Sequence, residues 1–200
     1  MGAKLYMIKA VNLLCNDSIN PIGIDDLSPC FSWQTESSEA ADFQSAYQVE
    51  VVATDNKSEC VWDSGKIFGG VSIGIRYSGI MLKPRTSYKW RVKQWDKNGE
   101  EGVWSDYAVF ETGIMGKYRG QWIGYPETDK NRNKRDPHPA PMLRKAFVLN
   151  KKTTKARVYI CGLGYHVLFV NGEKVTDRVL APAVAQYNER VYYETLDITN

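Results

Sequence analysis

The chain has 200 residues, of which 43% are hydrophobic and 24% are charged, a composition that is typical of globular domains and excludes a wholly disordered chain. The formal net charge is +3, from 26 basic and 23 acidic residues, and does not by itself indicate a nucleic-acid or membrane-surface partner. No apolar stretch approaches the ~20 residues that a membrane-spanning helix requires, so we predict neither nucleic-acid binding nor membrane insertion.

The N-terminal residues do not form a secretory signal, because Lys4 and Lys9 interrupt the apolar residues before a hydrophobic segment can develop. The localisation therefore stays open: cytoplasmic, or periplasmic or secreted if a signal peptide has been removed. The cysteines show neither CxxC spacing nor the density of a disulfide scaffold, and we expect them to be mostly reduced packing residues. They are Cys15, Cys30, Cys60 and Cys161.

Apolar and polar side chains alternate through most of the first half and predict strands with one buried face, beginning with residues 46–53. From residue 88 the alternation is sharper, because Tyr88, Trp90 and Val92 are separated by cations. A register shift of one residue would bury those cations, so the register is well determined. Further strands, separated by Gly, Pro, Asn and Asp, are predicted at 30–35, 61–66, 73–78 and 108–112.

Tyr88 opens its strand just after a corner that contains Pro84, which is the tyrosine-corner arrangement of Greek-key sandwiches. Phe31 and Trp33 supply bulky core side chains from an earlier strand. Residues 1–115 resemble a fibronectin type III domain in these features. We predict a seven-stranded fibronectin type III-like sandwich there.

A polar, Pro-containing stretch follows and predicts a linker over residues 116–141. Its cations, Lys130, Arg132, Lys134 and Arg135, could indicate a nucleic-acid patch. Such patches interleave cations with stacking aromatic side chains, which this stretch lacks. We interpret it as a solvated loop.

Strands resume beyond the linker and predict the start of a second β-domain over residues 142–200. The dipeptide Asn171-Gly172 is the strongest hairpin signal in the chain. The remaining strands are predicted at 143–149, 156–161 and 165–170. These strands are too few to cover both faces of a sandwich. We therefore expect the chain to stop within this domain, and its uncovered faces to favour self-association.

No motif in the chain carries catalytic or cofactor chemistry. The glycines at 162 and 164 begin a dinucleotide-binding pattern, but Val167 occupies the third glycine position and no helix is predicted after it. His138 and His166 lack partners at metal-ligand spacing. We predict no cofactor and no metal.

Glycines, aromatic residues and turn motifs carry a resemblance to one known family. In the second half these are Ala156, Val158, Ile160, Gly162, Leu163, Gly164, Tyr165, Val170, Asn171, Gly172, Lys174, Val175, Asp177, Leu180, Pro182, Tyr187, Arg190, Tyr193, Thr195, Asp197 and Thr199. They resemble the N-terminal β-sandwich domain of bacterial α-L-rhamnosidases. The fibronectin-like leader of the same enzymes is resembled by Pro21, Gly23, Phe31, Ser32, Trp33, Val61, Trp62, Asp63, Ser64 and Gly65.

The resemblance implies an all-β chain: a fibronectin type III-like sandwich, then part of a second, jelly-roll-like (galactose-binding-type) β-sandwich. It implies a parent α-L-rhamnosidase, a glycoside hydrolase that cleaves terminal α-L-rhamnosides with inversion by two carboxylates in a helical barrel further along the chain. No catalytic residue can be transferred to these 200 residues. We therefore expect an inactive accessory fragment whose partner, a rhamnose-containing glycan, is reached through the parent enzyme.

Tyr187, with Asn188 and Arg190, is the candidate carbohydrate contact. The apolar face of a pyranose stacks on an aromatic ring, while amide and guanidinium groups bond its hydroxyls. The alternative is that Tyr187 packs at the sandwich edge and Arg190 forms a surface ion pair. Two other functions stay open for the whole chain: a free-standing carbohydrate-binding or adhesion module, and a spacer of another glycoside hydrolase.

Overall fold

The computed structural model describes residues 8–54, 59–124, 140–150 and 152–199. Every regular element in these ranges is a strand, which confirms the predicted all-β class, and none of the described residues forms a helix that could span a bilayer. In chain order the strands are β1 (Ile8–Cys15), β2 (Cys30–Ser37), β3 (Ala46–Ala53), β4 (Cys60–Asp63), β5 (Ile67–Phe68), β6 (Ile75–Arg76), β7 (Ser87–Trp95), β8 (Ala108–Glu111), β9 (Arg157–Cys161), β10 (Phe169–Val170), β11 (Glu173–Lys174) and β12 (Tyr193–Asp197).

The first eight strands form the two sheets of a β-sandwich. One sheet has the antiparallel order β1-β2-β6. The other has the order β4-β3-β7-β8, and β5 also pairs with β3. The strand β4 lies beside β3, as the C′ strand does in variable-type immunoglobulin domains.

Aromatic side chains dominate the core between the sheets. Trp90 is fully buried, and its ring centroid lies 4.3 Å from that of Phe31. The ring of Tyr88 stacks on Phe110 with centroids 5.1 Å apart. Trp33 is buried as well, so the three aromatic side chains predicted to lie in or beside the core are confirmed there.

The cations of β7 face outward, as the alternation predicted. The Arg91 guanidinium lies over the rings of Trp104 and Tyr107, at 4.4 and 4.8 Å from their centroids. Lys93 lies over Trp104 and Lys89 over Tyr107. Each such contact stabilises an exposed site by about 0.5–1 kcal/mol, so these side chains fasten the irregular segment before β8 onto the sheet.

The corner before β7 has the hydrogen bonds of a tyrosine corner. The Tyr88 hydroxyl accepts a hydrogen bond from the Lys83 backbone N–H at 2.8 Å. Thr112 Oγ1 accepts one from the Thr86 N–H at 2.9 Å and donates one to the Lys83 carbonyl at 2.6 Å. The prediction drawn from Pro84 and Tyr88 is thereby confirmed.

The sandwich has eight strands and not the predicted seven, because β1 and β5 lie outside the six strand ranges that the sequence indicated. The pairing of β1 with β2 shifts register between Val11 and Leu14, and Asn12 has a φ of 51°. This irregularity breaks the alternation of side chains on which the strand prediction depended. The two-residue strand β5 is too short for any period to show.

Two short antiparallel ladders make up the regular structure of the second half. Strand β9 pairs with β12, from Cys161 opposite Tyr193 to Arg157 opposite Asp197. Strands β10 and β11 form the predicted hairpin at Asn171-Gly172, whose φ values of 52° and 90° are both positive, as a type I′ turn requires.

The strand predicted at 143–149 is wrong, and the one at 165–170 is shortened to β10. Residues 143–149 pair with no described strand, and without a partner their apolar side chains stay exposed, as for Phe147 and Val148. In the segment before β10, the backbone N–H of His166 donates to the Ala181 carbonyl rather than to a strand. The predicted jelly-roll arrangement stays a prediction. The basic run at 130–135 and His138 lie outside the described residues.

Burial is sparse in the second half. Among the described residues after 116, only Pro182 and Leu196 are buried, whereas the sandwich contains a continuous core. Large apolar side chains such as Phe169 and Val184 are exposed. This agrees with the expectation that apolar faces of the second domain are left uncovered.

Candidate functional site

The structure places the candidate sugar contacts in one exposed turn before β12. The backbone N–H groups of Glu189 and Arg190 both donate to the Gln186 carbonyl, at 2.8 and 2.9 Å, and close this turn. Tyr187 is 41% exposed. Asn188 Nδ2 donates to Glu189 Oε1 at 3.3 Å.

Two of these side chains contact near neighbours in the chain. The Arg190 guanidinium lies 6.0 Å from the ring centroid of Tyr192, and the Asn188 amide is engaged with its neighbour Glu189. The role of Tyr187, Asn188 and Arg190 in sugar binding stays a prediction. No group of His, Cys, Asp and Glu side chains that could hold a metal occurs within the described part of the chain.

The most extensively bonded polar site joins the sandwich to the β9–β12 ladder, and we call it the interface. Its first part is centred on Glu111 at the end of β8, whose side chain is 5% exposed. Lys155 Nζ lies 2.5 Å from Glu111 Oε2, and Ser87 Oγ donates to the same oxygen at 3.1 Å. Arg157 Nε lies 3.2 Å from Oε1 as an ion-pair contact, and its guanidinium also reaches Asp197 at 2.7 Å.

The second part of the interface is centred on Tyr193 in β12. Its hydroxyl donates to Asp25 Oδ2 at 2.7 Å and accepts from the Ile114 N–H at 3.0 Å. The Met115 N–H donates to the other oxygen of Asp25 at 2.8 Å. Desolvation, together with the carboxylate of Asp25, outweighs the Ile114 N–H and raises the pKa of Tyr193 to about 12.

Two glycines allow the interface to close. A Cβ on Gly23 would collide with the Thr195 side chain, and a Cβ on Gly113 would collide with the Tyr193 hydroxyl. Gly23 also has a φ of 79°, which L side chains rarely adopt. The two glycines lie on neighbouring segments of the sandwich, because the Gly113 N–H donates to the Ile24 carbonyl at 2.7 Å. Side chains of β12 therefore approach the backbone of the sandwich closely at both positions.

Tyrosines and an arginine extend the interface. The Tyr118 hydroxyl donates to the Tyr159 carbonyl at 2.5 Å, and the Arg85 guanidinium lies 5.6 Å from the Tyr159 ring centroid. The rings of Tyr118 and Tyr159 each lie near Tyr193, with centroids 6.3 and 6.1 Å away. This arrangement orients one unit against the other, and its ionised groups are paired with each other rather than directed at a substrate.

Comparison with known proteins matches each half of the chain to a family model. Residues 10–116 match the family model described as "Rha78A-like, N-terminal immunoglobulin domain". The chain belongs to this family. Residues 151–200 match the model of the α-L-rhamnosidase N-terminal domain, so the Rha78A-like domain is followed by the β9–β12 region in the order that the resemblance implied. The interpretation as an N-terminal region of an α-L-rhamnosidase is confirmed.

Curated relatives and solved structures agree with this assignment. A Formosa agariphila α-L-rhamnosidase is 35% identical over 94% of the chain, and an Alteromonas α-L-rhamnosidase is 31% identical over 90%. The α-L-rhamnosidase structure from Dictyoglumus thermophilum superposes with a TM-score of 0.85 at 36% identity and covers 100% of the chain. The Streptomyces avermitilis enzyme, in complex with L-rhamnose, gives a TM-score of 0.57 at 25% identity over 96% of the chain.

The Rha78A-like chain spans only a small part of each of these proteins. It covers 22% and 21% of the two curated relatives, and 24% and 20% of the two solved chains.

Proposed function

We propose that these residues serve as the non-catalytic N-terminal part of an α-L-rhamnosidase, and that the sandwich braces the second unit. The observation that carries this proposal is the occurrence of both family matches in order, joined by the buried Glu111 with Lys155 and Arg157. The parent enzyme would hydrolyse terminal α-L-rhamnosides of a glycan with inversion. We place the domains at residues 1–115 and 142–200, with a linker at 116–141.

The first test is an activity assay on an aryl α-L-rhamnoside. The family resemblance implies that the general acid and base lie in a helical barrel, whereas the regular elements of the described residues are all strands. We therefore expect no turnover above buffer from the purified 200-residue chain. A complete α-L-rhamnosidase at the same molar concentration is the positive control. Turnover that persists through a second purification would show that the catalytic groups lie within these residues.

A carbohydrate-binding role is the second candidate function. The S. avermitilis relative has been solved with L-rhamnose, and the exposed Tyr187 ring offers a stacking surface beside Asn188 and Arg190. We expect Tyr187→Ala to abolish any L-rhamnose binding at this turn, measured by titration calorimetry. Arg178→Ala is a matched control, because that arginine is also exposed but lies outside the turn. A free-standing binding or adhesion module and a spacer of another glycoside hydrolase remain the alternatives.

A further inference from the structure

A cleft on the sandwich lies at the opposite end of β7 from the interface. It has a volume of about 390 Å³ and opens where β2 ends, between the loop at 38–45 and Gly70. This volume lies within the range of about 300–1,000 Å³ that small-molecule sites occupy. The lining side chains that carry the argument below are Thr35, Glu39, Asp42, Phe43 and Gln44.

Phe43 supplies an apolar surface in this cleft. Its side chain is 59% exposed, although most aromatic side chains of the sandwich are packed in the core. The described residues place no second ring and no cation on it. An exposed, unstacked ring is the feature that a pyranose requires for its apolar face.

Two carboxylates lie beside that ring, and one of them is held rigidly. Asp42 accepts hydrogen bonds from the Ser37 hydroxyl at 2.6 Å and from the Lys97 N–H at 3.2 Å. Partial desolvation opposes ionisation, but these hydrogen bonds and one from the Phe43 N–H outweigh it and lower the pKa of Asp42. Glu39 accepts from Lys97 Nζ at 3.0 Å, so this neighbouring lysine is paired.

A buried amide behind the cleft fixes two of the side chains that line it. Gln94 is fully buried, and its Nε2 donates to Thr35 Oγ1 and to Gln44 Oε1, at 2.7 Å each. These hydrogen bonds hold Thr35 and Gln44 in position where they line the cleft.

We propose that this cleft binds one neutral sugar residue of a glycan, with Phe43 as the stacking platform and Asp42 and Glu39 as hydroxyl acceptors. Neutral sugars fit because two carboxylates face a single, already paired lysine, and this surplus of negative charge disfavours a sugar acid. The proposal concerns the sandwich alone and does not depend on sugar binding at Tyr187.

The test is a titration of the 200-residue chain followed by backbone amide NMR. The probes are the methyl glycosides of L-rhamnose, D-galactose and D-glucose, each up to about 20 mM, which detects dissociation constants into the millimolar range. D-galacturonate and glycerol serve as charge and polyol controls. We expect one or more methyl glycosides to shift the amides of residues 35–44 and 70, and both controls to leave them in place.

Variants separate this cleft from other surfaces. Phe43→Ala should weaken the binding at least tenfold, whereas Phe68→Ala removes an even more exposed ring outside the cleft and should leave it unchanged. Tyr187→Ala should also leave it unchanged, which distinguishes this site from the turn before β12. Because Phe43 is exposed, thermal unfolding of Phe43→Ala should match that of the unchanged chain. The proposal is overturned if no glycoside shifts these amides, if glycerol shifts them equally, or if Phe43→Ala folds and binds as before.

Discussion

Glu111 is the residue on which the two units depend most. Its carboxylate is almost completely removed from water, and burial of an ionised group costs free energy unless the group is paired. Both cations that pair with it come from the second unit: Lys155 lies just before β9, and Arg157 is the first residue of β9. The sandwich thus contains a buried charge that only the second unit neutralises.

We expect Glu111→Gln to lower the free energy of unfolding by about 2 kcal/mol, because hydrogen bonds to charged groups contribute roughly 1.5–3 kcal/mol. Urea denaturation followed by tryptophan fluorescence measures this change. Asp106→Asn is the matched control, since it breaks the ion pair with Lys9 at a side chain that is 97% exposed. Its stability should equal that of the unchanged chain. A similar loss in both variants would show that burial of Glu111 is not the cause.

Tyr193 should make the stability sensitive to alkaline pH. Desolvation is the main cause that raises its folded-state pKa to about 12, above the ordinary value of 10.0. The folded chain therefore holds this proton more tightly than the unfolded chain. Its contribution is fully present below pH 10 and is lost as the pH rises from about 10 toward 12.

The measurement is urea denaturation of the unchanged chain and of Tyr193→Phe across that interval. At pH 8 the variant should be less stable by about 1 kcal/mol, because the hydroxyl bonds to Asp25 and Ile114 are lost. This difference should shrink steadily above pH 10. A constant difference up to pH 12 would mean that the pKa of Tyr193 is the same in the folded and the unfolded chain.

Among the secondary-structure elements, alternation predicted those with one clean buried face. Residues 46–53 coincide with β3, and the apolar–cation alternation gave the register of β7. It failed for β1, where a register shift and the left-handed Asn12 interrupt the period. The strand predicted at 143–149 does not form, because apolar residues indicate a surface that could be buried and not the presence of a pairing partner.

The interface lay beyond what periodicity can show. Gly23, Tyr193, Thr195 and Asp197 were all among the residues that carried the family resemblance, yet nothing in the sequence indicates which of them meet. The Tyr193–Asp25 hydrogen bond joins positions 168 residues apart. Glu111 is the last residue of the short strand β8, and nothing in the sequence of that strand predicts that its carboxylate is buried. The burial depends on contacts with the second unit. For Asn188 and Arg190, adjacency in sequence predicted one turn but not their contacts with Glu189 and Tyr192.

Two glycine variants separate the stability cost of losing a close contact at Gly23 from the cost of backbone strain. Gly23 and Gly65 both have a positive φ, of 79° and 62°, but only Gly23 has a neighbour where a Cβ would stand. We expect Gly65→Ala to cost about 1 kcal/mol from strain alone. Gly23→Ala should cost more, and should also expose β12 to limited proteolysis. Equal costs and equal protection would mean that the contact with Thr195 adjusts freely.

For the molecule as a whole, the uneven core predicts uneven stability. The sandwich has a continuous buried cluster, whereas the described part of the second half buries only Pro182 and Leu196. Local opening requires less free energy where few apolar contacts are buried.

Native-state hydrogen exchange should therefore show that amides of β3 and β7 exchange only through global unfolding. Amides of β9 and β12 should exchange at least tenfold faster. Light scattering should show self-association that increases with concentration, through exposed side chains such as Phe169 and Val184. Equal protection in both units, with a monomer at all concentrations, would contradict this picture.

The distance along the chain between the two sides of the interface also has a consequence for synthesis. Domains generally fold as units during translation, N-terminal first, and all eight strands of the sandwich lie before residue 112. Asp25 and Glu111 are then already in place on the ribosome when Lys155, Arg157 and Tyr193 emerge. The nascent sandwich would act as the template on which β9 and β12 pair. A chain stalled near residue 155, late enough for β8 to have left the ribosomal exit tunnel, should therefore already resist protease.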